Sequence, residues 1–324
     1  AGMGRPPLRA LLGAIALATR SLSIPLTDAP EWQACIAAPA ACTSLNVEAG
    51  GISGPVPSEV GAALFALETL SLASNELTGR LPTELGALTS LIKLQLHDND
   101  GFSGALPSEL GQLTACTSLS AGDSAGMGGT LPTELGSMTA VRDFFLQNMR
   151  ARGTIPTELG RLRQVRIARL QQSSLAGAIP TELGAWTSAV SVEGHSSPSL
   201  RGPIPTELGL CTSLTNTRWY NARLAGTVPT ELGQLSDMAT IYLNGNSLTG
   251  TVPSELSRWA SATYVGMEDN SLTGFVPLDL RAASCFFGGT NALCLLGGRA
   301  PSCSTDVDEV CVSPPSPPPE PPAP

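Results

Sequence analysis

Residues 67–86 read LETLSLASNELTGRLPTELG, and close copies of this stretch recur through most of the chain. The block G-x-[LIV]-P-[ST]-E-[LV]-G, which forms its second half, returns almost unchanged every 24 or 25 residues. A fixed period of this length predicts a solenoid in which each repeat forms one coil. The prolines of the blocks are Pro57, Pro82, Pro107, Pro132, Pro156, Pro180, Pro205, Pro229 and Pro253, and Pro277 opens a degenerate tenth block.

Each part of the repeat has a physical role. The alternation of Leu70 and Leu72 predicts a short strand with one face inward, and such strands stack into a parallel sheet. Asn75 turns the chain, and its amide can bind unpaired backbone groups of the bend. Gly79 allows a tight turn. Thr83 is expected to cap a short helical turn on the outer face.

The middle repeats depart from this pattern. The coils that hold Asn99, Ser124 and Ser197 each contain a one-residue insertion, which we expect to bulge at the rim of the sheet. We also expect looser packing or local irregularity in the middle of the array. Small or polar residues replace the inward Leu at Ala121, Ala168 and Thr217, and the Asn is replaced by Ser124, Met149, Ser173, Ser197 and Ala222.

The repeat closely resembles the plant-type leucine-rich repeat, LxxLxxLxLxxNxLxGxIPxELGxL, over residues 31–303. The resemblance implies an α/β repeat fold, a leucine-rich-repeat solenoid. It places a parallel β-sheet on the concave face, short helical or 3-10 turns on the convex face, and disulfide-capped ends. One coil cannot bury its own apolar face, so its stability must come from stacking on its neighbours.

The cysteines fit the caps of this family. Cys35 and Cys42, with Trp32 just before them, resemble its N-terminal cap. The resemblance favours a Cys294–Cys303 pair in the C-terminal cap and leaves Cys285 for Cys311, although sequence cannot fix the connectivity. A four-cysteine zinc site is the alternative to the C-terminal disulfides, and we predict no metal. We interpret the two remaining cysteines as buried apolar residues within coils: Cys116 and Cys211.

The ends of the chain differ from the array. Residues 1–20 contain a basic start and a short apolar run and are predicted to be a secretory signal peptide. The tail SPPSPPPEPPAP favours extended polyproline II, either as a linker or as a segment similar to extensin-like wall glycoproteins. The predicted order is signal peptide 1–20, N-terminal cap with a partial coil 21–53, about nine repeats 54–277, cysteine-rich cap 278–312 and Pro-rich tail 313–324.

Charge excludes some functions. The net charge of −9 disfavours nucleic-acid binding, which needs a basic surface. No segment is long enough to span a membrane. Nine glutamates, one per repeat, explain the net charge and are interpreted as a solvated outer row. Residues 142–223 differ, because they hold ten Arg against five acids and carry +5.

Catalytic chemistry is not indicated. His97 and His195 lie at equivalent positions four coils apart, and spacing pairs neither with a nucleophile. We therefore predict that the protein is not an enzyme and needs no cofactor. A row of threonines beside the outer glutamates raises ice binding as an alternative. Because the threonines form only a single row, a capping role is favoured.

The variable strand positions are the predicted binding surface. They lie between the inward Leu residues and so face the concave side. In coils four to eight, which run from the coil of Phe145 to the coil of Tyr242, they become aromatic and charged. Aromatic residues and Arg dominate binding hot spots, and Arg suits a carboxylate-bearing ligand. The predicted ligand-binding residues are Phe145, Arg169, Glu193, Arg218, Tyr220 and Tyr242.

The resemblance implies a non-catalytic, receptor-like recognition module, secreted or on the cell surface, that binds a peptide or protein on its concave face. Two alternatives share the repeat and the caps. One is a secreted inhibitor of cell-wall-degrading enzymes, similar to polygalacturonase-inhibiting proteins. The other is a structural protein of the cell wall, whose partners include wall polysaccharide.

Overall fold

The computed structural model describes residues 23–277, 279–280, 282, 284–296 and 310–311. The predicted signal peptide and Pro-rich tail lie outside these residues. Within them the chain forms the predicted leucine-rich-repeat solenoid. No helix among the described residues has the length and apolarity needed to cross a bilayer.

The concave sheet takes one strand from each coil. All neighbouring strands are parallel, and sequence order equals spatial order, as expected for coils that stack in succession. Among the described residues it has eleven strands: Ser44–Asn46, Thr69–Ser71, Lys93–Gln95, Ser118–Ser120, Asp143–Phe145, Ile167–Arg169, Ser191–Glu193, Asn216–Arg218, Thr240–Tyr242, Tyr264–Gly266 and Ser284–Phe286.

A second set of parallel strands follows the Asn of each coil and forms three separate ladders. Breaks fall between Phe102 and Gly128 and between Leu200 and Ala225, next to inserted residues that shorten the local strands. The insertions therefore disturb this second sheet. Its strands are Ile24–Pro25, Ile52–Pro55, Glu76–Gly79 and Gly101–Phe102; Gly128–Thr130, Arg150–Thr154, Ser174–Gly177 and Ser199–Leu200; and Ala225–Thr227, Ser247–Gly250, Ser271–Phe275, Ala292–Leu296 and Val310–Cys311.

The convex side consists of short turns. Two α-helices, Pro30–Ala37 and Glu59–Ala63, lie at the N-terminal end, where the 3-10 turn Leu26–Asp28 precedes them. Later coils use 3-10 turns: Thr83–Ala87, Ser108–Gln112, Thr133–Ser137, Thr157–Arg161, Thr181–Ala185, Thr206–Leu210, Thr230–Gln234 and Ser254–Arg258.

The predicted threonine caps are wrong. Pro82 occupies the N-cap position before its turn, and no side chain caps the turn. The Thr83 hydroxyl donates instead to the carboxylate of the adjacent Glu84, 3.3 Å away. Thr133, Thr157, Thr181, Thr206 and Thr230 repeat this arrangement. The glutamates are thus part of a polar outer row.

The Asn residues hold the coils as predicted. Asn99 is fully buried, and its amide nitrogen donates to the carbonyls of Leu72 and Leu96, each 3.0 Å away. Its amide oxygen accepts from the Leu77 nitrogen at 3.0 Å, so one side chain joins two coils. Where Ser173 replaces the Asn, its hydroxyl reaches the Leu170 carbonyl of its own coil at 3.0 Å.

The inward positions of the middle coils remain buried, and in one place a large residue compensates for a small one. Ala121 and Ala168 are completely buried. Gly194 occupies an inward position, and the Trp219 ring of the next coil fills its space. A β-carbon added at Gly194 would overlap that ring. The local irregularity expected for the middle of the array exists in the second sheet.

The caps are confirmed in part. Cys35 and Cys42 form a disulfide, and Cys116 and Cys211 are buried free thiols. Cys285 is also disulfide-bonded. Its predicted pairing, and the pairing of Cys294 with Cys303, involve side chains outside the described residues.

Candidate functional site

Five of the six predicted binding residues form one column across the concave sheet. Phe145 pairs with Arg169, Arg169 with Glu193, Glu193 with Arg218, and Arg218 with Tyr242. Strand stacking places successive members about 4.8 Å apart. The sixth, Tyr220, follows Arg218 by two residues and lies on the same face of the sheet. The structure thus brings all six residues to one surface.

Both arginines of the column lie against aromatic rings. The guanidinium carbon of Arg169 is 5.1 Å from the centre of the Phe145 ring, and that of Arg218 is 5.3 Å from the centre of the Tyr242 ring. Such cation–π contacts orient a guanidinium without consuming its hydrogen-bond donors. Arg169 is exposed and remains available to an acceptor above the sheet, whereas Arg218 is only partly exposed.

Glu193 has a different environment from the one predicted. Only 6% of its surface is exposed. Its carboxylate lies 3.9 Å from Arg218 Nη1 and 3.8 Å from His195 Nε2, and it accepts a hydrogen bond from Ser191 Oγ at 3.3 Å. Glu193 therefore orients Arg218 and His195, and its carboxylate is not part of the open surface.

An aromatic ladder extends from this column toward the C-terminal end. We define it as Tyr220, Tyr242, Tyr264 and Phe286, one ring from each of four successive coils. The centres of the Tyr220 and Tyr242 rings are 6.1 Å apart, those of Tyr242 and Tyr264 are 4.2 Å apart, and those of Tyr264 and Phe286 are 5.2 Å apart. The His195 ring stacks on Tyr220 at 4.2 Å and closes the other end.

The sequence analysis missed Tyr264, Phe286 and the contact of His195. Tyr264 is the first residue of its strand and lies before the variable positions between the inward residues, and Phe286 lies in the cap after the last clear repeat. Reading the first position of every strand as a third column would have found Tyr264. Nothing in the sequence indicates that the His195 ring stacks on the Tyr220 ring.

A groove of about 340 Å³ opens beside the ladder. Its lining is rich in hydrogen-bond donors, with three phenol hydroxyls, a guanidinium and an amide. Arg218 Nε and Asn244 Oδ1 are buried and have no hydrogen-bond partner within the described part of the chain. The lining residues are Arg218, Tyr220, Tyr242, Asn244 and Tyr264.

Titratable groups near the site have identifiable environments. Burial lowers the pKa of His195 below 6.5; Glu193 partly opposes this effect, whereas Arg218 adds to it. Burial raises the pKa of Cys116 and of Cys211 to about 11, so both are thiols at neutral pH and poor nucleophiles. Within the described residues, no three His, Cys, Asp or Glu side chains form a potential metal site.

Comparisons with known proteins agree with the repeat fold. The Leucine Rich Repeat family model matches residues 66–88 and 238–259, which contain two of the most regular repeats. No curated protein sequence matches the chain.

Solved structures match over most of the chain. The plant peptide hormone receptor RGFR1, in complex with RGF2, is 27% identical with a TM-score of 0.62; the match covers 78% of this chain and 48% of the receptor. The Arabidopsis receptor kinase HAESA, in complex with the peptide hormone IDA and the co-receptor SERK1, is 26% identical with a TM-score of 0.69, covering 78% and 42%. The chain therefore spans less than half of these receptor structures.

A plant ice-binding protein is 21% identical with a TM-score of 0.59; the match covers 73% of this chain and 81% of that protein. This likeness shows the shared fold alone. The repeats, the stacked parallel strands and the receptor structures agree in one assignment. The chain contains leucine-rich repeats and is similar in structure to plant receptor-kinase ectodomains.

Proposed function

We propose that the protein is a non-catalytic, extracellular recognition module that binds a linear peptide on coils four to eight of its concave face. The observation that carries this proposal is the column in which Arg169 and Arg218 lie against Phe145 and Tyr242. Each guanidinium lies against a ring. Arg169 is exposed and can form a bidentate contact with a carboxylate, whereas Arg218 also faces the Glu193 carboxylate and can offer only its remaining donors.

The structure supports a peptide because the site is long, shallow and mixed in chemistry. The column and the ladder together offer aromatic surface for side chains and donors for a peptide backbone. The plant structures similar to this chain include receptors in complex with peptide hormones, and those proteins are receptor ectodomains. An extracellular location of this chain follows from the same likeness and belongs to the proposal.

The first test is a binding screen with a fluorescent library of linear peptides that have free C-terminal carboxylates, beside an amidated copy of the library. For the peptides selected, we expect Arg169→Ala and Arg218→Ala each to weaken binding about 10- to 100-fold, the range expected for a charge-assisted hydrogen bond. Arg152→Ala is the matched control, because Arg152 is exposed on the second sheet.

The control for folding concerns Glu193. Removing Arg218 leaves a buried carboxylate with less compensation, so Arg218→Ala is also studied together with Glu193→Gln. Loss of binding in the double variant, with unchanged thermal unfolding, assigns the effect to the ligand. Equal binding by the wild type and by both arginine variants contradicts the proposed placement.

A further inference from the structure

The aromatic ladder forms a surface with its own chemistry. Tyr220, Tyr242 and Tyr264 are half-buried and Phe286 is exposed, so one side of the row is open. Its polar lining includes the Arg218 guanidinium and three phenol hydroxyls as hydrogen-bond donors. Aromatic grooves that offer donors suit proline-rich segments, because prolines supply apolar rings and carbonyl acceptors but no backbone donor.

The spacing of the ladder favours the same class of ligand. Polyproline II has three residues per turn and a rise of about 3.1 Å per residue, which gives a repeat of about 9.3 Å. Two coil spacings of the concave sheet amount to about 9.6 Å. The two repeats are nearly equal. A proline-rich segment that runs along the solenoid axis can therefore place every third residue against every second coil along the length of the ladder.

This chain contains such a segment. Residues 313–324 read SPPSPPPEPPAP, and every third position from Pro315 is proline: Pro315, Pro318, Pro321 and Pro324. Glu320 is the one charged residue of the segment. Its carboxylate is complementary to Arg218, the guanidinium of the groove.

The attachment point of the segment lies at the same end of the array as Phe286. Val310–Cys311 is the last strand of the second sheet, beyond Ala292–Leu296, and so lies at the C-terminal end of the array. The ladder reaches the same end through Phe286. Three coil spacings, about 14 Å, separate Phe286 from Tyr220. Twelve residues in the polyproline II conformation would span about 37 Å, which exceeds the length of the ladder.

We propose that residues 313–324 bind along the aromatic ladder of the same molecule, with two successive prolines of the every-third series against rings two coils apart and Glu320 near Arg218. The bound tail covers part of the predicted peptide site, and an external ligand must displace it. This inference extends the proposed function, because it assigns an internal competitor to the same surface.

Competition between the tethered tail and a free peptide should change the measured affinity of the groove for that peptide. A short tether gives an effective concentration on the order of 1 mM. If the tail binds with an intrinsic Kd of about 0.1 mM, the groove is occupied most of the time, and a free copy of the tail binds about tenfold more weakly than it binds to an empty groove.

The experiment uses the full chain and a fluorescein-labelled peptide with the sequence of residues 313–324, followed by fluorescence anisotropy. One variant replaces the docking prolines by Ser, at Pro315, Pro318, Pro321 and Pro324. The matched control replaces the same number of prolines on the other faces, at Pro314, Pro317, Pro319 and Pro322. We expect the first variant to bind the peptide about tenfold more tightly than the wild type, and the control to behave like the wild type.

The groove is tested in the background of the docking-proline variant. Tyr242→Leu and Tyr264→Leu are each expected to weaken peptide binding at least fivefold. Phe65→Leu removes an exposed aromatic ring elsewhere and should leave it unchanged. A labelled peptide with Glu320→Gln should also bind more weakly, and the effect should vanish with Arg218→Gln.

Two results overturn this proposal. One is the absence of peptide binding to any variant with an intact ladder. The other is equal affinity for the wild type and the docking-proline variant, since the tail then does not occupy the groove. Neither result bears on the carboxylate library and the Arg169→Ala variant, so the proposed function stands or fails separately.

Discussion

At the scale of single residues, the environment of Glu193 separates what spacing determines from what packing determines. The repeat register assigns Glu193 to the concave column, and the structure confirms that position. Burial of its carboxylate depends on three neighbours that lie in two different coils. Ser191 and His195 come from its own coil, whereas Arg218 comes from the next. The repeat period does not predict which side chains surround the Glu193 carboxylate.

His195 should make stability depend on pH. Burial lowers its folded-state pKa below the unfolded value of 6.5, so the unfolded chain binds the proton more readily. The free energy of unfolding should therefore fall as pH decreases through 6.5, and this loss should level off below the folded pKa. Glu193 and Arg218 are the charged groups that face the ring, and Glu193 limits the loss.

Thermal unfolding of the wild type and of His195→Gln between pH 7.5 and pH 5 measures this contribution. The wild type should lose more stability on acidification than the variant. His97→Gln removes the imidazole at the equivalent position four coils away and shows whether the difference is specific to His195. An identical pH profile for the wild type and His195→Gln contradicts the burial argument.

At the scale of the coil, the sequence predicted one strand well and another not at all. The Leu70 and Leu72 alternation identifies the concave strand, because a period of two is a local pattern. The second sheet comes from short segments such as Glu76–Gly79, in which Glu and Gly have low strand propensity and no regular alternation is present. These segments pair with the equivalent segments of neighbouring coils, and this pairing is not visible within one repeat.

Packing between coils explains why irregular repeats are tolerated. Gly194 and Trp219 occupy equivalent inward positions in successive coils, and the volume that one lacks is supplied by the other. Together they retain the shape of two ordinary coils. Each residue alone departs from the repeat pattern, and the compensation is visible only when the two coils are considered together.

A double-mutant cycle tests this compensation. Gly194→Ala introduces a methyl group into the indole ring and should cost about 1–3 kcal/mol of the free energy of unfolding. Trp219→Leu should cost about 2–4 kcal/mol by leaving a cavity. In the double variant the methyl group enters free space, so the combined cost should be at least about 1 kcal/mol less than the sum.

Urea unfolding of the four proteins gives the coupling energy. Trp259→Leu combined with Gly194→Ala is the control, because Trp259 is a buried indole three coils away. That pair should be additive within about 0.5 kcal/mol. Additivity of the Gly194 and Trp219 changes would show that the two residues do not share one space.

At the scale of the whole molecule, charge and apolar surface are arranged on different sides. The glutamates of the outer turns account for the acidic net charge, and most of them accept a bond from the preceding hydroxyl. The apolar residues form one continuous core along the array. The positive stretch contributes Arg169 and Arg218 to the concave face, whereas Arg150 and Arg152 lie on the second sheet. The positive stretch is visible in the sequence. Which of its arginines lie on the concave sheet and which on the second sheet is visible only in the structure.

Because each coil contacts mainly its neighbours, damage at one end should remain local. The Cys35–Cys42 bond closes a short loop over the first coil, and its removal should cost about 2 kcal/mol by the loop-entropy model. The variant Cys35→Ala/Cys42→Ala should lose hydrogen-exchange protection in the coils of Val47 and Leu72, and protection near Leu243 should be unchanged. Mass spectrometry of exchanged peptides measures this gradient.

The buried free cysteines provide the matched control for that experiment. Cys116→Ala/Cys211→Ala also removes two sulfur atoms, but from coils that no disulfide restrains. Its loss of protection should centre on the coils of those two residues, away from the N-terminal cap. If both variants lose protection evenly along the chain, the array unfolds as one cooperative unit, and the cap contributes to the stability of every coil, including those that form the binding surface.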